Sequence, residues 1–137
     1  MGMHARRTDY GSYLRRFNGT LVTKEYFKLA MEKMKNLLDH PKHLIFIMAS
    51  DDLNWCKKHF TSYPNVYFTN QGNSPATDLA ILSSCNHSIF TYGTYGMWSA
   101  ILTGGKVIMA EEFAGRKYKA IMTFPPVKIA LHMPYVP

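Results

Sequence analysis

The sequence predicts an α/β fold in which one doubly wound, parallel sheet carries helices on both faces. Three observations lead there. Short apolar runs of strand length recur along the chain, the segments between them carry helical spacing or helix-start chemistry, and the connections are short, roughly two to six residues. Strand and helix alternate, and such alternation builds a parallel sheet through right-handed crossovers. With 137 residues, 47% of them hydrophobic, one domain over 1–137 is the natural count.

Met1 to Tyr10 reads as a polar loop after a strand of which little more than Met1-Gly2-Met3 stands before His4. From Thr23, an expected N-cap, Tyr26, Phe27, Ala30, Met31, Met34, Leu37 and Leu38 recur at intervals of three and four, an amphipathic helix whose stripe is core. His43 to Ala49 is a continuous apolar run of the kind found in strands buried on both faces. Ser50-Asp51-Asp52 then supplies N-capping chemistry for a short helix to about Phe60. Asn65 to Thr69 is the next strand. Ser74-Pro75 combines an N-cap with proline at the first helical position, opening a helix to about Ser84. His87 to Tyr92 is a strand, Gly93-Thr94-Tyr95-Gly96 a tight turn into a helix that stops at Gly104-Gly105, and Lys106 to Ala110 the strand after it. The tail 111–137, with Pro125, Pro126 and Pro134, is less regular and is expected to pack as a loop and short strand.

The formal charge of +7 favours anionic partners. Its basic pairs, Arg6-Arg7, Arg15-Arg16, Lys57-Lys58 and Arg116-Lys117, are scattered and not interleaved with aromatics in one stripe, which argues against a nucleic-acid groove. Cys56 and Cys85 have no metal-ligand spacing with each other or with His59 and His87. Asn18-Gly-Thr20 and Asn86-His-Ser88 are glycosylation triplets if the chain meets a secretory lumen. No run of 18 apolar residues and no signal peptide is present, so if the protein lives in a secretory compartment its anchor is expected to lie outside this chain.

Ligands of doubly wound sheets bind at the carboxyl ends of the strands, so the residues following each strand are the candidates. They are His4, Arg6, Arg7 and Asp9; Ser50, Asp51 and Asp52; Ser74, Thr77 and Asp78; and Gly93, Thr94, Tyr95 and Gly96. Guanidinium forks hold a diphosphate bidentately, and adjacent arginines on an extended loop point in opposite directions. One is therefore expected on phosphate and the other on a carboxylate that pins the loop, with no basis for choosing which. The Gly93 to Gly96 turn offers backbone N–H groups and the Thr94 hydroxyl at a helix start, suited to phosphate, although glycines there serve a turn of positive φ equally well. Asp78 presents two oxygens to parallel N–H donors such as those of guanine, or serves as a helix-dipole partner. Dinucleotide fingerprint, P-loop, nucleophile elbow and paired-histidine motif are all absent, and without a D-x-D motif the expected site uses arginine in place of a metal.

These residues resemble a known family. His4-Ala-Arg-Arg-Thr-Asp-Tyr10 is similar to the H-x-R-R-x-D-Y motif of the galactoside alpha-1,2-fucosyltransferases. Ser50 to Cys56, Ser74 to His87, Thr91 to Trp98 and Leu102 to Gly105 continue the resemblance in order and spacing. It implies a Rossmann-like, GDP-fucose-binding domain of a GT-B-like glycosyltransferase, belonging to a Golgi enzyme anchored in the membrane and facing the lumen. It also implies inverting, metal-independent transfer of L-fucose to the 2-hydroxyl of a terminal galactose, with no cofactor. By position, Arg6 would bind the diphosphate with His4 against the nucleotide, Asp78 would read guanine, and Thr94 with its neighbours would hold the β-phosphate. Asp9 is a candidate general base or an anchor for the arginines. Family members are more than twice as long, so the alternative is a truncated, inactive sugar-nucleotide-binding module.

Overall fold

The computed structural model describes residues 1–16, 18–110, 112–113, 116–117 and 128–131. Its main sheet is all parallel and contains β1 (Gly2–Ala5), β2 (Phe46–Ser50), β3 (Val66–Phe68), β4 (Ser88–Phe90), β5 (Val107–Ala110) and β8 (Lys128–Leu131), in the order β3-β2-β1-β4-β5-β8. A separate antiparallel pair joins β6 (Glu112–Phe113) to β7 (Arg116–Lys117). The helices are α1 (Thr8–Arg15), α2 (Lys24–Leu37), α3 (Leu53–Phe60), α4 (Pro75–Ser83) and α5 (Gly93–Thr103). The expected doubly wound α/β class is therefore the class found.

Register explains how one sheet serves two layers. Met3 pairs with Met48 on one side and Ile89 on the other, and all three point into the cluster formed with Tyr26, Phe27, Met31 and Met34 of α2 and Cys56 and Phe60 of α3. Alternate residues face the opposite way. There a Cβ on Gly2 would stand 3.2 Å from Leu82 of α4, and one on Gly96 of α5 would stand 2.9 Å from both His4 Nδ1 and Phe90 Cβ. Helices α2 and α3 thus cover one face, α4 and α5 the other.

Three expectations are corrected. The strand before the arginines is no remnant: β1 runs Gly2–Ala5, all four residues buried, with parallel partners on both sides at the sheet centre. His4 belongs to that strand, not to the loop. Second, the segment after it is helical from Thr8, because Asp51 accepts from the backbone N–H groups of Arg7 and Thr8 and so caps α1 from a distant loop. Third, Gly93 to Gly96 is the first turn of α5 itself, with Gly93 at φ 80° and Gly96 buried inside the helix. In the tail, β8 extends the sheet beside β5; residues 118–127 and 132–137 lie outside the described residues.

Capping follows the expected chemistry at two helices. Asp52 accepts from Trp55 N at 3.0 Å to start α3, and Ser74 accepts from Thr77 N at 3.1 Å to start α4 with Pro75 at its first position. Thr23 stands at the start of α2 in extended conformation without a side-chain cap. Gly104, at φ 70°, ends α5 in the left-handed conformation that glycine adopts without strain.

Candidate functional site

A polar cleft of about 440 Å³ opens over the carboxyl ends of β1, β2 and β3. Its walls include His4, Arg6, Ser50, Asp51 and Asp52 from the inner strands and their loops, Asn70, Gln71, Asn73 and Asp78 from the β3–α4 connection and α4, and Tyr95 from α5. This is the edge at which a doubly wound sheet receives ligands.

The two arginines divide as their opposite directions demand. Arg6 faces the cleft with its side chain 35% exposed, donating to Asp9 Oδ2 at 2.7 Å and standing 3.5 Å from Asp51 Oδ2. The bond to Asp9 raises its pKa above the ordinary arginine value. Its backbone N–H donates to the hydroxyl of Thr91, which fixes the loop to the end of β4. Arg7 turns inward, its guanidinium carbon 3.6 Å from the centre of the Trp55 ring and its Nη1 donating to Val22 O at 3.2 Å. Asp52 lies 3.8 Å from Arg7 Nε, beyond hydrogen-bond distance, and among the described residues that buried nitrogen has no hydrogen-bond partner. Arg7 is the inward arginine, held by a ring and a backbone carbonyl where a carboxylate was expected, and Arg6, which carries the close carboxylates, is the one that lines the cleft.

Asp51 is occupied structurally. Its Oδ1 accepts from Arg7 N, while its Oδ2 accepts from the backbone and hydroxyl of Thr8 and faces Arg6. Ser50 accepts from Asp52 N and donates to Ala5 O, locking the end of β1 to the start of α3. Asp9 is exposed, and its bond to Arg6 holds the carboxyl below the usual aspartate range. It does not line the cleft.

His4 is 4% exposed and, among the described residues, its Nδ1 has no hydrogen-bond partner. Burial lowers its pKa to about 4, opposed by the Asp51 carboxylate and reinforced by Arg6, so the imidazole is neutral at physiological pH. Its ring lies 4.8 Å from that of Tyr95, whose hydroxyl donates to Pro75 O and ties α5 to the start of α4. Asp78 faces the cleft with Oδ1 accepting from Asn73 Nδ2 at 2.8 Å and Oδ2 from Thr69 Oγ1 at 3.2 Å.

His4, Arg6, Asp51, Asp78 and Tyr95 therefore converge, while Arg7 and Asp9 stand behind or beside the cleft. Gly93, Thr94 and Gly96 do not line it; Thr94 is exposed at the start of α5, and the two glycines admit Tyr10 and His4 at distances a side chain would block. Sequence reading missed Asn70, Gln71, Asn73 and Thr91. Their positions directly after β3 and β4 were the available signal. Asn18 and Asn86 are exposed, and both cysteines are free thiols, Cys56 buried. Among the described residues, no three histidine, cysteine, aspartate or glutamate side chains gather to hold a metal.

A family model described as glycosyl transferase family 11 matches residues 1–119. Among curated proteins, the chain is 36% identical to mouse (Mus musculus) galactoside 2-alpha-L-fucosyltransferase Sec1 over 117 residues, 82% of this chain and 31% of that protein. It is 37% identical to galactoside alpha-(1,2)-fucosyltransferase 2 of Gorilla gorilla gorilla over 117 residues, 82% of this chain and 33% of that protein. Against galactoside 2-alpha-L-fucosyltransferase SEC1 of Bos taurus the identity is 33% over 127 residues, 88% of this chain and 34% of that protein. The chain thus spans about a third of the length of these curated relatives.

Proposed function

The chain belongs to glycosyl transferase family 11, and on that premise we propose that it forms the donor-binding part of an enzyme transferring L-fucose from GDP-fucose to the 2-hydroxyl of a terminal galactose. The observation that carries this reading is the cleft itself, whose walls include both an outward guanidinium, Arg6, and a doubly held carboxylate, Asp78. A guanidinium suits a diphosphate, and a carboxylate with an oxygen for each of two parallel N–H groups suits guanine.

In the proposed reaction the acceptor oxygen attacks the anomeric carbon of fucose, the bond from that carbon to the diphosphate breaks, the configuration inverts, and the acceptor hydroxyl gives its proton to a general base, the role for which Asp9 is the candidate. Negative charge grows on the departing GDP. Arg6 opposes it from a preorganised position, which is the work a metal would otherwise do, and the reading is therefore metal-independent and without a cofactor. His4 and Tyr95 flank the nucleotide in this assignment, while Gly93, Thr94 and Gly96 stand outside the cleft walls at the start of α5. Asp9, bonded to Arg6, serves as the anchor of that fork, and any role as base for the acceptor proton follows only once the diphosphate has taken Arg6. A luminal Golgi setting, with the parent enzyme anchored in the membrane, completes the reading; the exposed asparagines of the two triplets, Asn18 and Asn86, fit it. Among the described residues, no helix is long and apolar enough to cross a membrane.

Calorimetric titration with GDP, GDP-fucose, ADP and UDP tests the assignment. Guanine-selective binding is expected, abolished by Asp78→Asn and weakened by Arg6→Ala, with Arg6→Ala also lowering any transfer rate on the order of a hundredfold. Absence of nucleotide binding by the folded chain would overturn it. GDP-fucose binding with no transfer to a galactoside would leave the chain as an inactive sugar-nucleotide-binding module.

A further inference from the structure

We propose that Asn73 is a positioning residue that orients Asp78 for the 2-amino edge of a purine, and so sets discrimination between guanine and hypoxanthine nucleotides. The inference rests on the donor-site reading above and deepens it. Asp78 has about four lone-pair positions, two on each oxygen. Asn73 occupies one position on Oδ1 and Thr69 one on Oδ2, which leaves one acceptor position per oxygen. Guanine N1–H and N2–H are parallel donors and require that distribution. Of the two other carboxylates at the cleft, Asp51 lacks it, because Oδ2 already takes two donors from Thr8 and faces Arg6, and Asp52 is engaged at the start of α3, its Oδ1 accepting from Trp55 N and its Oδ2 facing Arg7.

Asn73 is built to hold its partner. Its backbone N–H donates to Asn70 O at 3.1 Å, closing a turn in which Asn70 Oδ1 also accepts from Gly72 N at 3.0 Å. Its amide then reaches five residues along to Asp78 while its side chain lines the cleft. Thr69 is 7% exposed and acts from behind. Asn73 is thus the partner of Asp78 that also borders the ligand space, and it fixes the plane of the carboxylate by a charge-assisted bond.

The test compares GDP with IDP, which keeps N1–H but lacks the 2-amino group. The unmodified chain should favour GDP. Asn73→Ala should weaken GDP about tenfold, the scale of one hydrogen bond to a charged group, and IDP by less, so that the GDP-to-IDP ratio shrinks. Asn73→Asp places a second carboxyl beside Asp78; its GDP affinity should fall at pH 7.5 and recover at pH 5, where the new carboxyl gains a proton and donates again, while the unmodified chain changes little. A melting temperature lowered by Asn73→Ala with the GDP-to-IDP ratio unchanged would overturn the inference and leave the donor site standing, provided Asp78→Asn still abolishes guanine selectivity. A folded chain whose GDP binding responds to neither Asp78→Asn nor Asn73→Ala would overturn both.

Discussion

Arg6 and Arg7 are chemically identical neighbours whose substitutions should have different consequences. Arg7 is stacked on Trp55 and bonded to Val22 O, with its side chain only 14% exposed. Arg7→Lys keeps the charge and loses the planar face and the fork, at a cost of about 1–2 kcal/mol in stability. Arg6→Lys, at a partly exposed and outward position, should leave the unfolding midpoint nearly unchanged. Urea denaturation of both variants separates the cases; equal destabilisation by the two would contradict the division of labour. That one arginine points outward and one inward was legible from the extended backbone alone. Which one was not, because the choice is made by Trp55 and Val22, residues brought to Arg7 only by the packing of α2 and α3 beside β1.

At the scale of elements, the helices that start with their own caps were readable and the one that does not was missed. Asp52 and Ser74 sit immediately before α3 and α4 and bond within three residues. Helix α1 begins after Arg7, which offers no side-chain cap, and its first N–H groups are satisfied by Asp51, more than forty residues away. No local pattern announces such a start. The dependence is testable: Asp51→Ala removes the acceptor for Arg7 N, Thr8 N and the Thr8 hydroxyl and should cost about 1–2 kcal/mol. Loss should appear in chemical denaturation, and in amide exchange as selective opening of Thr8–Arg15. Uniform exchange across the domain, with α1 protected as before, would show that α1 does not need this cap. Strand β1 was underestimated for a related reason. Its four residues give a weak signal alone, but pairing with β2 and β4 on both sides buries all of them.

Across the whole molecule, the sheet separates stability from chemistry. One face carries Met3, Met48, Ile89 and Ile108 against the aromatic core of α2 and α3, and the other carries His4, Ser88 and Phe90 against the small-residue turns of α5. Alternating elements made the parallel class legible, whereas the order β3-β2-β1-β4-β5-β8, which places His4 at the centre, depends on pairings that periodicity does not encode. That central position gives the fold a pH dependence. His4 is buried among Gly96, Phe90 and Tyr95, with Asp51 and Arg6 as its charged neighbours, and burial lowers its pKa from 6.5 to about 4. The folded state therefore resists a proton that the unfolded chain accepts. Above pH 6.5 both states are neutral at this position and stability is full; as the pH falls from 6.5 through 4 the unfolded chain binds the proton first, and stability falls by up to about 3 kcal/mol. His59 and His87, also lowered, act in the same direction but are far less buried. Unfolding free energies measured in urea from pH 7.5 to 4 should therefore decline steeply for the unmodified chain and more gently for His4→Gln, which has no imidazole to protonate. Parallel declines for the two proteins would mean that the buried imidazole is not the group that couples the centre of the sheet to acid.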